Sequence, residues 1–428
     1  MNPPGGPSPL SPRAGEPGGP GHRVLFISHN ATWSGAPLTL KILLEWFSRQ
    51  DGWSSRLVLR EDGPLRPQFA GLLPTQSLPP YPPRRRSILK QAVREVLKGR
   101  PAAGLLALRG SAPSQRAAVR EALAGLAGEC RRWGVQAIFC NTALSCDVAM
   151  DLGLDVPVVT HVHELEGVIR SVSSARVQAF RRRTNLFLAN SQAVRDCLLR
   201  RMGIPDDRIR VVPPPIDVAD VLAKAGQIAP PDLRRQLGLA EGAWVVGGVG
   251  TICRRKGVDR FLHIVRRLLP RLAPAERAHF VWVGDGPDGP AVRRLLRRLG
   301  LASRVVLTGD LPNPYPVMRC FDVALIPSRE EPFSRIMMEA PVLGAAAVAF
   351  DGVGGTREFL TEDRGVLIRR GDVRAMADGT LDLLRQPDRR RRMALLAADH
   401  ARQQYDIHAV GPQIAQWLRE MIMPSCSR

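Results

Sequence analysis

Within residues 328–344, SREEPFSRIMMEAPVLG, the two carboxylates of Glu331 and Glu339 lie close to a predicted helix start. Glu331 lies in a loop after an apolar run, and Glu339 follows eight positions later. Ser334 is of the type that caps helices, so we expect a helix to begin near Arg335. The N-terminal N–H groups of that helix would face an anion, with the two acids at most about 10 Å apart.

This combination of groups has a specific chemical meaning. Carboxylates accept hydrogen bonds from pairs of sugar hydroxyls, and a helix N-terminus binds phosphate. The segment therefore suits a ligand that combines a sugar, a phosphate and a ribose. An exposed acidic loop followed by a surface glutamate is the alternative. Because Pro341 interrupts the hydrogen bonding of the helix, we expect only two turns, with Gly344 closing them.

A basic loop, TICRRKG at residues 251–257, follows the apolar run AWVVGGVG. Arg254, Arg255 and Lys256 therefore stand at a strand end just before a helical segment. Cations at such a position bind phosphate through charge, assisted by unpaired backbone N–H groups. A solvated basic turn is the alternative.

Two glycine-rich turns also follow predicted strands. VGDGP at residues 283–287 contains Gly284, which would let the backbone approach a ligand closely, although a plain turn would have the same sequence. DGVGGTRE at residues 351–358 follows the next strand after the acidic loop, so we expect these two loops to lie side by side.

The elements that position these loops are short apolar runs alternating with amphipathic helical segments. This alternation is typical of parallel sheets covered by helices on both faces, in which ligands bind beyond the carboxyl ends of the strands. Ser191 is expected to cap the helix that follows it. The predicted strands lie at 22–30, 54–65, 134–142, 156–164, 243–250, 278–287, 303–309, 321–328 and 345–352, and predicted helices include 38–50, 257–272, 290–301 and 411–422.

The pattern predicts an α/β protein with two Rossmann-like, doubly wound domains. Three consecutive prolines forbid helix between the halves and suit a stiff connector. The predicted parts are a disordered Pro/Gly-rich tail at 1–21, an N-terminal domain at 22–212, a linker at 213–240, a C-terminal domain at 241–405, and a helix at 406–428 that crosses back to the first domain.

Composition narrows the class of protein. The 428 residues are 44% hydrophobic and 24% charged, as in soluble globular proteins, and no apolar run is long enough to span a membrane. The seven scattered cysteines include no CxxC, which favours a reduced, cytoplasmic setting. A net charge of +21 indicates an anionic partner or, equally, the arginine bias of a GC-rich genome. Aromatic residues are only 5%, which argues against nucleic acid as a partner.

With these motifs in order, the sequence resembles the retaining glycosyltransferases of family four. The resemblance covers about residues 22–420 and implies the GT-B fold, in which two Rossmann-like domains face each other across a cleft. Its most specific element is the Glu-x7-Glu spacing inside EPF-x-R-x-x-x-E. The motifs that carry it are SGAP, HVHE, ANSQAVRD, RVVPPPID, RRKG, VGDGP, PSREEPFSRIMMEA and GVGGTRE.

The resemblance implies roles for the residues of the second half. Glu331 would hold hydroxyls of the transferred sugar, and Glu339 the ribose of the nucleotide. Lys256, with Arg255, would neutralise the diphosphate and stabilise it as a leaving group. The donor-binding set is completed by Gly284 and by backbone N–H groups of Phe333, Ser334 and Arg335.

Two residues of the first half receive roles in the same way. Gly35, in the SGAP loop, would bring backbone close to the reacting centre, and His163, in HVHE, would lie near the acceptor as a catalytic residue. His163 and His161 share one face of their predicted strand, so a structural histidine is the alternative for either. With Glu164 they also form a weak metal-binding pattern.

The implied reaction moves a hexose from a UDP- or GDP-sugar to a glycan or lipid-linked acceptor with retention of configuration. We expect no metal and no cofactor beyond the nucleotide sugar. Contact with an anionic membrane is a further hypothesis, since residues 79–110 combine basic and apolar positions, although a solvated helix would do the same. The rival functions are a nucleotide-sugar epimerase on the same fold and a non-catalytic basic protein that binds membrane or nucleic acid.

Two positions depart from the family pattern. Thr251 stands where the family commonly has an arginine, so Arg254 or Arg255 must substitute for it. Ser334 replaces the usual glycine, which removes space near the backbone and adds a hydroxyl.

Overall fold

The computed structural model describes residues 21–81, 113–165 and 174–423. By its contacts the chain divides into two compact units: Met1–Val162, Val172–Phe187 and Gln416–Arg428 form the first, and His163–Ser171 with Leu188–Ala415 form the second. The tail up to residue 20 lies outside the described residues, as does the proposed lipid-binding segment from residue 82 onward.

One sheet has seven strands in the order β3-β2-β1-β4-β5-β6-β7. Its central strand β1 pairs in parallel with β2 and with β4, and residues 24–27 are wholly buried because helices cover both faces. The strands are β1 (His22–Ser28), β2 (Trp53–Leu59), β3 (Thr75–Ser77), β4 (Ala137–Cys140), β5 (Val158–Val162), β6 (Leu186–Ala189) and β7 (Ile209–Val211).

Helices follow these strands along the chain. The predicted cap at Ser191 is confirmed, since its hydroxyl oxygen accepts a hydrogen bond of 3.2 Å from the N–H of Val194. The first helix begins three residues earlier than predicted, because Pro37 is tolerated in a first turn. These helices are α1 (Gly35–Phe47), α2 (Arg66–Leu72), α3 (Pro113–Trp133), α4 (Cys146–Leu152), α5 (Ser174–Arg183) and α6 (Gln192–Met202).

The second sheet has six strands in the order β10-β9-β8-β11-β12-β13. Because its central strands are apolar on both sides, they are buried between two layers of helices. The strands are β8 (Trp244–Val249), β9 (Ala278–Val283), β10 (Val305–Leu307), β11 (Val323–Ile326), β12 (Ala346–Phe350) and β13 (Val366–Ile368). With both sheets parallel and covered by helices, the prediction of two Rossmann-like domains is confirmed.

Two helices of the second half precede these strands, and the others fall between or after them. Amphipathic segments such as residues 258–268 bury one apolar face against the sheet and leave Arg266 and Arg267 exposed. The helices are α7 (Val218–Ala225), α8 (Pro230–Gln236), α9 (Val258–Leu268), α10 (Gly289–Arg298), α11 (Tyr315–Met318), α12 (Ile336–Val342), α13 (Thr356–Leu360), α14 (Val373–Arg385), α15 (Pro387–Gln404) and α16 (Ile407–Ile422).

The segment predicted as a linker, 213–240, contains α7 and α8, and Ile216 pairs with Asp406 through a single β-bridge. The last helix starts in the second unit, and its residues from Gln416 onward belong to the first. The exact domain boundaries stay a prediction. Within the described ranges, no helix combines the length and the apolar character needed to cross a bilayer.

Candidate functional site

The basic loop forms a tight 3-10 turn, Arg254–Lys256, between β8 and α9. Gly257 after it has a φ of +72°, and a Cβ there would lie 2.2 Å from the carbonyl oxygen of Pro327. The N–H of Arg329 also donates a 2.7 Å hydrogen bond to the carbonyl of Arg255. The loops after β8 and β11 are therefore joined through their backbones, which fixes where the cations stand.

Glu331 accepts hydrogen bonds from both predicted phosphate-binding cations. Its Oε2 lies 2.5 Å from Nζ of Lys256, 3.0 Å from Nη1 of Arg255 and 3.5 Å from Oγ of Ser328. The other oxygen, Oε1, accepts no hydrogen bond from any described residue and is not sealed from solvent. One carboxylate oxygen is thus held by cations while the other is available to a ligand.

Electrostatics keep this carboxylate ionised. Burial by itself would raise the pKa of Glu331, whose exposed fraction is only 5%. The charges of Lys256 and Arg255 outweigh burial and lower that pKa below its ordinary value. Glu331 in turn raises the pKa of Arg255. The cluster therefore carries two positive charges and one negative charge at neutral pH.

A second ion pair supports the turn from outside. Arg329 donates two hydrogen bonds to Asp259, with Nη1 at 2.7 Å and Nη2 at 2.6 Å from the carboxylate oxygens, and a third of 2.9 Å to the carbonyl of Arg254. Burial would raise the pKa of Asp259, but Arg329 outweighs it and lowers that pKa. This bidentate pair connects the start of α9 to the loop after β11.

Glu339 forms a separate cluster on the short helix α12. Its Oε1 lies 2.5 Å from Nη2 of Arg335 and accepts a 3.1 Å hydrogen bond from the hydroxyl of Tyr315. Arg335 also donates 3.2 Å to the carbonyl of Pro215. Burial would lower the pKa of Arg335, but Glu339 and Tyr315 outweigh it and raise that pKa. As at Glu331, the second oxygen, Oε2, accepts no hydrogen bond from the described residues and keeps access to solvent.

The prediction that Ser334 caps this helix is wrong. The helix begins at Ile336, and Arg335 before it already has helical backbone angles, with φ −61° and ψ −39°. The hydroxyl oxygen of Ser334 is buried and has no partner among the described residues. The predicted length is confirmed, since α12 has two turns and Gly344, with φ +96°, follows it.

The segment Phe333–Arg335 nevertheless offers hydrogen-bond donors. No described residue accepts a hydrogen bond from the backbone N–H of Phe333, Ser334 or Arg335. Buried or half-buried N–H groups ordinarily find a partner. These groups are therefore available to a ligand at the edge of the Glu331 and Glu339 clusters.

The glycine-rich loop after β12 packs on this segment, as predicted. Gly354 has a φ of +59°, and a Cβ there would lie 1.6 Å from the carbonyl oxygen of Glu331. Gly355 donates a 3.0 Å hydrogen bond to the carbonyl of Pro332. Because no larger residue fits at Gly354, these glycines hold the acidic loop in place.

Gly284 lies close to other backbone, as predicted for a ligand contact, but the backbone it approaches is that of Gly250, directly after β8. Its φ is +127°, and a Cβ would lie 2.5 Å from the carbonyl oxygen of Gly250. Its N–H donates a 2.9 Å hydrogen bond to Gly309. Gly250 lies directly beneath the side chain of Lys256, whose Cε would be 3.1 Å from a Cβ at that position. Gly284 thus packs on Gly250, which in turn contacts the side chain of Lys256. A contact of Gly284 with the nucleotide sugar stays a prediction.

The residues predicted in the first half stand apart from these clusters in the chain. Gly35 is the first residue of α1, and a Cβ there would meet nothing within 4 Å. His163 follows β5, and its backbone N–H donates a hydrogen bond of 2.9 Å to the carboxylate of Glu164. Its ring nitrogen Nδ1 lies 3.4 Å from the side-chain nitrogen of Asn190. Among the residues described, no group of three His, Cys, Asp or Glu side chains could hold a metal. The roles of Gly35 and His163 stay predictions.

Sequence reasoning missed Tyr315 and the Arg329–Asp259 pair. Arg335 and Glu339 had a readable signal, because residues four apart on a helix are neighbours. Tyr315 lies 24 positions from Glu339 and Asp259 lies 70 from Arg329, so no local pattern joins them.

Comparison with known proteins follows the same division of the chain. A family model described as "Glycosyl transferases group 1" matches residues 243–386, and one described as "Glycosyltransferase Family 4" matches residues 50–220. The two matched segments together cover well over half of the chain.

Several curated proteins are similar in sequence. The 2-deoxystreptamine N-acetyl-D-glucosaminyltransferase of Streptomyces fradiae is 32% identical over 53% of this chain and 53% of its own length. The alpha-D-kanosaminyltransferase of Streptomyces kanamyceticus is 26% identical over 63% of this chain and 72% of its own length. The D-inositol 3-phosphate glycosyltransferase of Nocardia farcinica is 32% identical over 55% of this chain and 52% of its own length. The chain thus spans about half the length of most of these relatives.

Solved structures share the fold over nearly the whole chain. The Anabaena protein HepE in complex with UDP-glucose has a TM-score of 0.72 at 21% identity, covering 93% of this chain and 99% of that one. WaaG, a glycosyltransferase involved in lipopolysaccharide biosynthesis, has a TM-score of 0.66 at 15% identity, covering 92% and 99%. At such identities the likeness shows the architecture alone.

Proposed function

Because the chain belongs to glycosyltransferase family four and has the GT-B fold, we propose that it transfers a hexosyl group from a nucleoside diphosphate sugar to an acceptor hydroxyl. The observation that carries the proposal is the cluster of Lys256, Arg255 and Glu331 at the ends of β8 and β11. Two cations and a carboxylate with an uncommitted oxygen match a diphosphate next to a sugar.

In this proposal the two cations bind the diphosphate. Transfer breaks the bond between the anomeric carbon and a phosphate oxygen, which keeps the electron pair. Lys256 and Arg255 stabilise the negative charge that develops on that oxygen, and preorganised charges of this kind contribute strongly in a partly desolvated site. Their present partner, Glu331, yields part of its contact with them when the diphosphate arrives.

Glu331 then binds the sugar through its available oxygen. The carboxylate is ionised at neutral pH because the neighbouring cations lower its pKa. An ionised carboxylate accepts hydrogen bonds from hydroxyl groups, which orients the ring and favours positive charge near the anomeric carbon. Retention is proposed by the family's front-face route, in which the acceptor oxygen attacks on the side of the leaving group and its proton passes to the leaving phosphate.

Further contacts are proposed around this centre. The backbone N–H groups of Phe333, Ser334 and Arg335 donate to the sugar and the phosphate, because they lack acceptors among the described residues. Glu339 binds the ribose through Oε2. The positive charge of Lys256 and Arg255 at the diphosphate also supports the prediction that the reaction requires no metal.

The acceptor is proposed to be a polyhydroxylated molecule, a glycan or a lipid-linked sugar, with Gly35 and His163 near it. Two similar proteins are named for 2-deoxystreptamine and D-inositol 3-phosphate, so these two compounds belong in the first panel of acceptors. A cytoplasmic location and contact with anionic lipid are kept as predictions from the sequence. Neither the family models nor the similar proteins named above favour an epimerase or a non-catalytic binding protein.

A thermal-shift panel tests the donor class directly. UDP, GDP, ADP and their glucose conjugates are each added to the full chain, and we expect at least one to raise the melting temperature by several degrees, as tight ligands do. A chain that none of the nucleotides stabilises would contradict the proposal.

Two variants then assign the effect to the site. Glu331→Gln should keep stabilisation by the nucleoside diphosphate but lose the additional stabilisation given by the sugar conjugate. Lys256→Met should lose most of the stabilisation by the nucleoside diphosphate and most of the stabilisation by the sugar conjugate. Lys224→Met is the matched control, because the Lys224 side chain is also ion-paired, with Asp220 at 2.6 Å, but is 37% exposed and makes no contact with Glu331. If Lys224→Met lost as much ligand-induced stabilisation as Lys256→Met, the effect could not be assigned to the Lys256 site.

A further inference from the structure

Both carboxylates of the proposed donor site have one oxygen held and one available, but Glu339 is held differently. Its Oε1 accepts from a guanidinium and from a phenol, whereas Glu331 accepts from two cations and a serine. The guanidinium of Arg335 is itself fixed by the carbonyl of Pro215. Glu339, Arg335 and Tyr315 therefore form a closed, local network.

Tyr315 is fixed by contacts on its other side. Its backbone N–H donates a hydrogen bond of 3.2 Å to the side-chain oxygen of Asn313. The side-chain amide of Asn313 donates hydrogen bonds of 3.0 Å to the carbonyl of Lys224 and of 2.9 Å to the side-chain oxygen of Gln227. The backbone that carries the phenol is thus held at the start of α11 by contacts that reach the end of α7. Burial and the neighbouring Glu339 raise its pKa, so the hydroxyl stays a donor at all ordinary pH values.

We propose that Tyr315 and Arg335 are positioning residues that fix the Glu339 carboxylate so that Oε2 receives the ribose hydroxyls of the nucleotide. This inference rests on the proposed function, since it takes the ligand of Glu339 to be a ribose. It adds a physical cause: a glutamate on a helix has three rotatable bonds, and two donors on one oxygen select a single rotamer. A carboxylate held in advance loses less entropy when it binds a vicinal diol.

The network also explains the choice of a tyrosine at 315. A second cation on Oε1 would compete with the ligand for the charge of the carboxylate. A neutral hydroxyl orients the group and leaves the carboxylate's negative charge shared with Arg335 alone. Ribose recognition therefore depends on a hydroxyl that makes no contact with the nucleotide itself.

The test measures how strongly the chain prefers a ribose. Dissociation constants are determined by calorimetry for UDP and for 2′,3′-dideoxy-UDP, or for the GDP or ADP pair if that base binds best in the thermal panel. The preference is the ratio of the two constants. We expect the wild type to bind the ribose form at least about 10-fold more tightly, and Tyr315→Phe to reduce the ratio about 3- to 10-fold, the size of effect that one typical hydrogen bond gives.

A purely structural role for Tyr315 would weaken both nucleotides equally and leave the ratio unchanged. Tyr81→Phe is the matched control, because Tyr81 also donates to a carboxylate, Asp151 at 3.3 Å, in the first unit. Its ratio should equal that of the wild type. Arg335→Lys, which keeps the charge, gives a second variant and should also reduce the ratio.

A double-mutant cycle shows whether Tyr315 acts through Glu339. In the Glu339→Gln background, adding Tyr315→Phe should change the ratio by less than about 2-fold, because the group it positions is gone. An unchanged ratio in the single Tyr315→Phe variant would overturn the inference and leave the transferase proposal intact. Nucleotide binding without any ribose preference in the wild type would overturn the role of Glu339 and this inference together. Absence of all nucleotide binding would overturn the proposed function as well.

Discussion

Glu331 and Glu339 are both buried carboxylates paired with cations, yet their partners come from different places. The partners of Glu331, Lys256 and Arg255, stand 75 and 76 positions earlier in the turn after β8, with side chains 16% and 39% exposed. The partner of Glu339, Arg335, is four residues earlier, directly before the same short helix, and is 12% exposed. A partly exposed cation from another loop, such as Arg255, can turn toward an incoming diphosphate, whereas the buried Arg335 beside its own carboxylate cannot.

This difference separates two kinds of ion pair. The Glu331 cluster has one more cation than it needs for neutrality, so charge is left over for a ligand. The Glu339 cluster is neutral, and both terminal nitrogens of the Arg335 guanidinium donate to protein groups, Nη2 to Glu339 and Nη1 to the carbonyl of Pro215. We therefore expect substitutions in the first cluster to affect mainly activity, and those in the second to affect mainly stability.

The largest effect on stability is expected from Arg335→Met. The substitution leaves Glu339 buried without a cation, and breaking a buried ion pair in this way costs about 3 to 5 kcal/mol. Lys256→Met should cost much less, because Arg255 still neutralises Glu331. Thermal unfolding of the two variants measures the contrast, and equal losses would show that the two clusters do not differ as described.

The largest effect on activity is expected from Lys256→Met. Loss of one preorganised group that stabilises developing charge should lower kcat/KM by about 10²- to 10³-fold. Initial rates with the nucleotide sugar identified by the thermal panel give the value, with Lys224→Met as the control. A Lys256→Met enzyme within a few-fold of the wild type would contradict the assignment of the leaving-group cation.

Adding a methyl group at Gly354 tests how firmly the acidic loop is held. Gly354→Ala brings a Cβ against the carbonyl of Glu331 and should cost about 2 to 3 kcal/mol, with loss of activity. Gly352→Ala is the matched control, because Gly352 also has a positive φ, +66°, but open space around its Cβ. The control should cost only about 1 kcal/mol, and equal costs would mean that backbone strain alone matters.

A smaller, pH-dependent effect is expected for Glu331. The lowered pKa means that its contribution to stability is complete above the ordinary glutamate pKa of 4.5 and is lost as pH falls through the folded-state value. Glu331→Gln should therefore lower Tm by a few degrees at pH 7 and by less at about pH 4. Melting curves at both pH values decide the matter, and the same difference at each would show that the carboxylate is not stabilised by its cations.

The sheets could be predicted from the sequence because buried parallel strands have a strong local signal. The runs around residues 24–27 and 323–326 are apolar on both faces, so neither register nor ligand is needed to identify them. The positions of the loops that carry Glu331 and Lys256 followed from the strand ends. The Glu331–Lys256 contact itself required both loops to be packed together.

The two serines show where local reasoning fails. Ser191 caps its helix because its backbone is extended, with φ −165° and ψ 164°, which turns its hydroxyl toward Val194. Ser334 has the same side chain, but Arg335, which has helical backbone angles, stands between it and the helix that begins at Ile336, and no side chain caps that helix. Sequence alone placed the start of this helix one residue too early, and it gave no signal for Tyr315 beside Glu339, a contact between residues 24 positions apart.

The central claim is that the cations held by Glu331 are a diphosphate site. Calorimetry of the nucleoside diphosphate and of the corresponding nucleoside, with wild type and Lys256→Met, tests it most directly. We predict that the wild type binds the diphosphate at least about 100-fold more tightly than the nucleoside and that Lys256→Met loses most of this difference while binding the nucleoside as before. An undiminished preference for the diphosphate in Lys256→Met would contradict the claim.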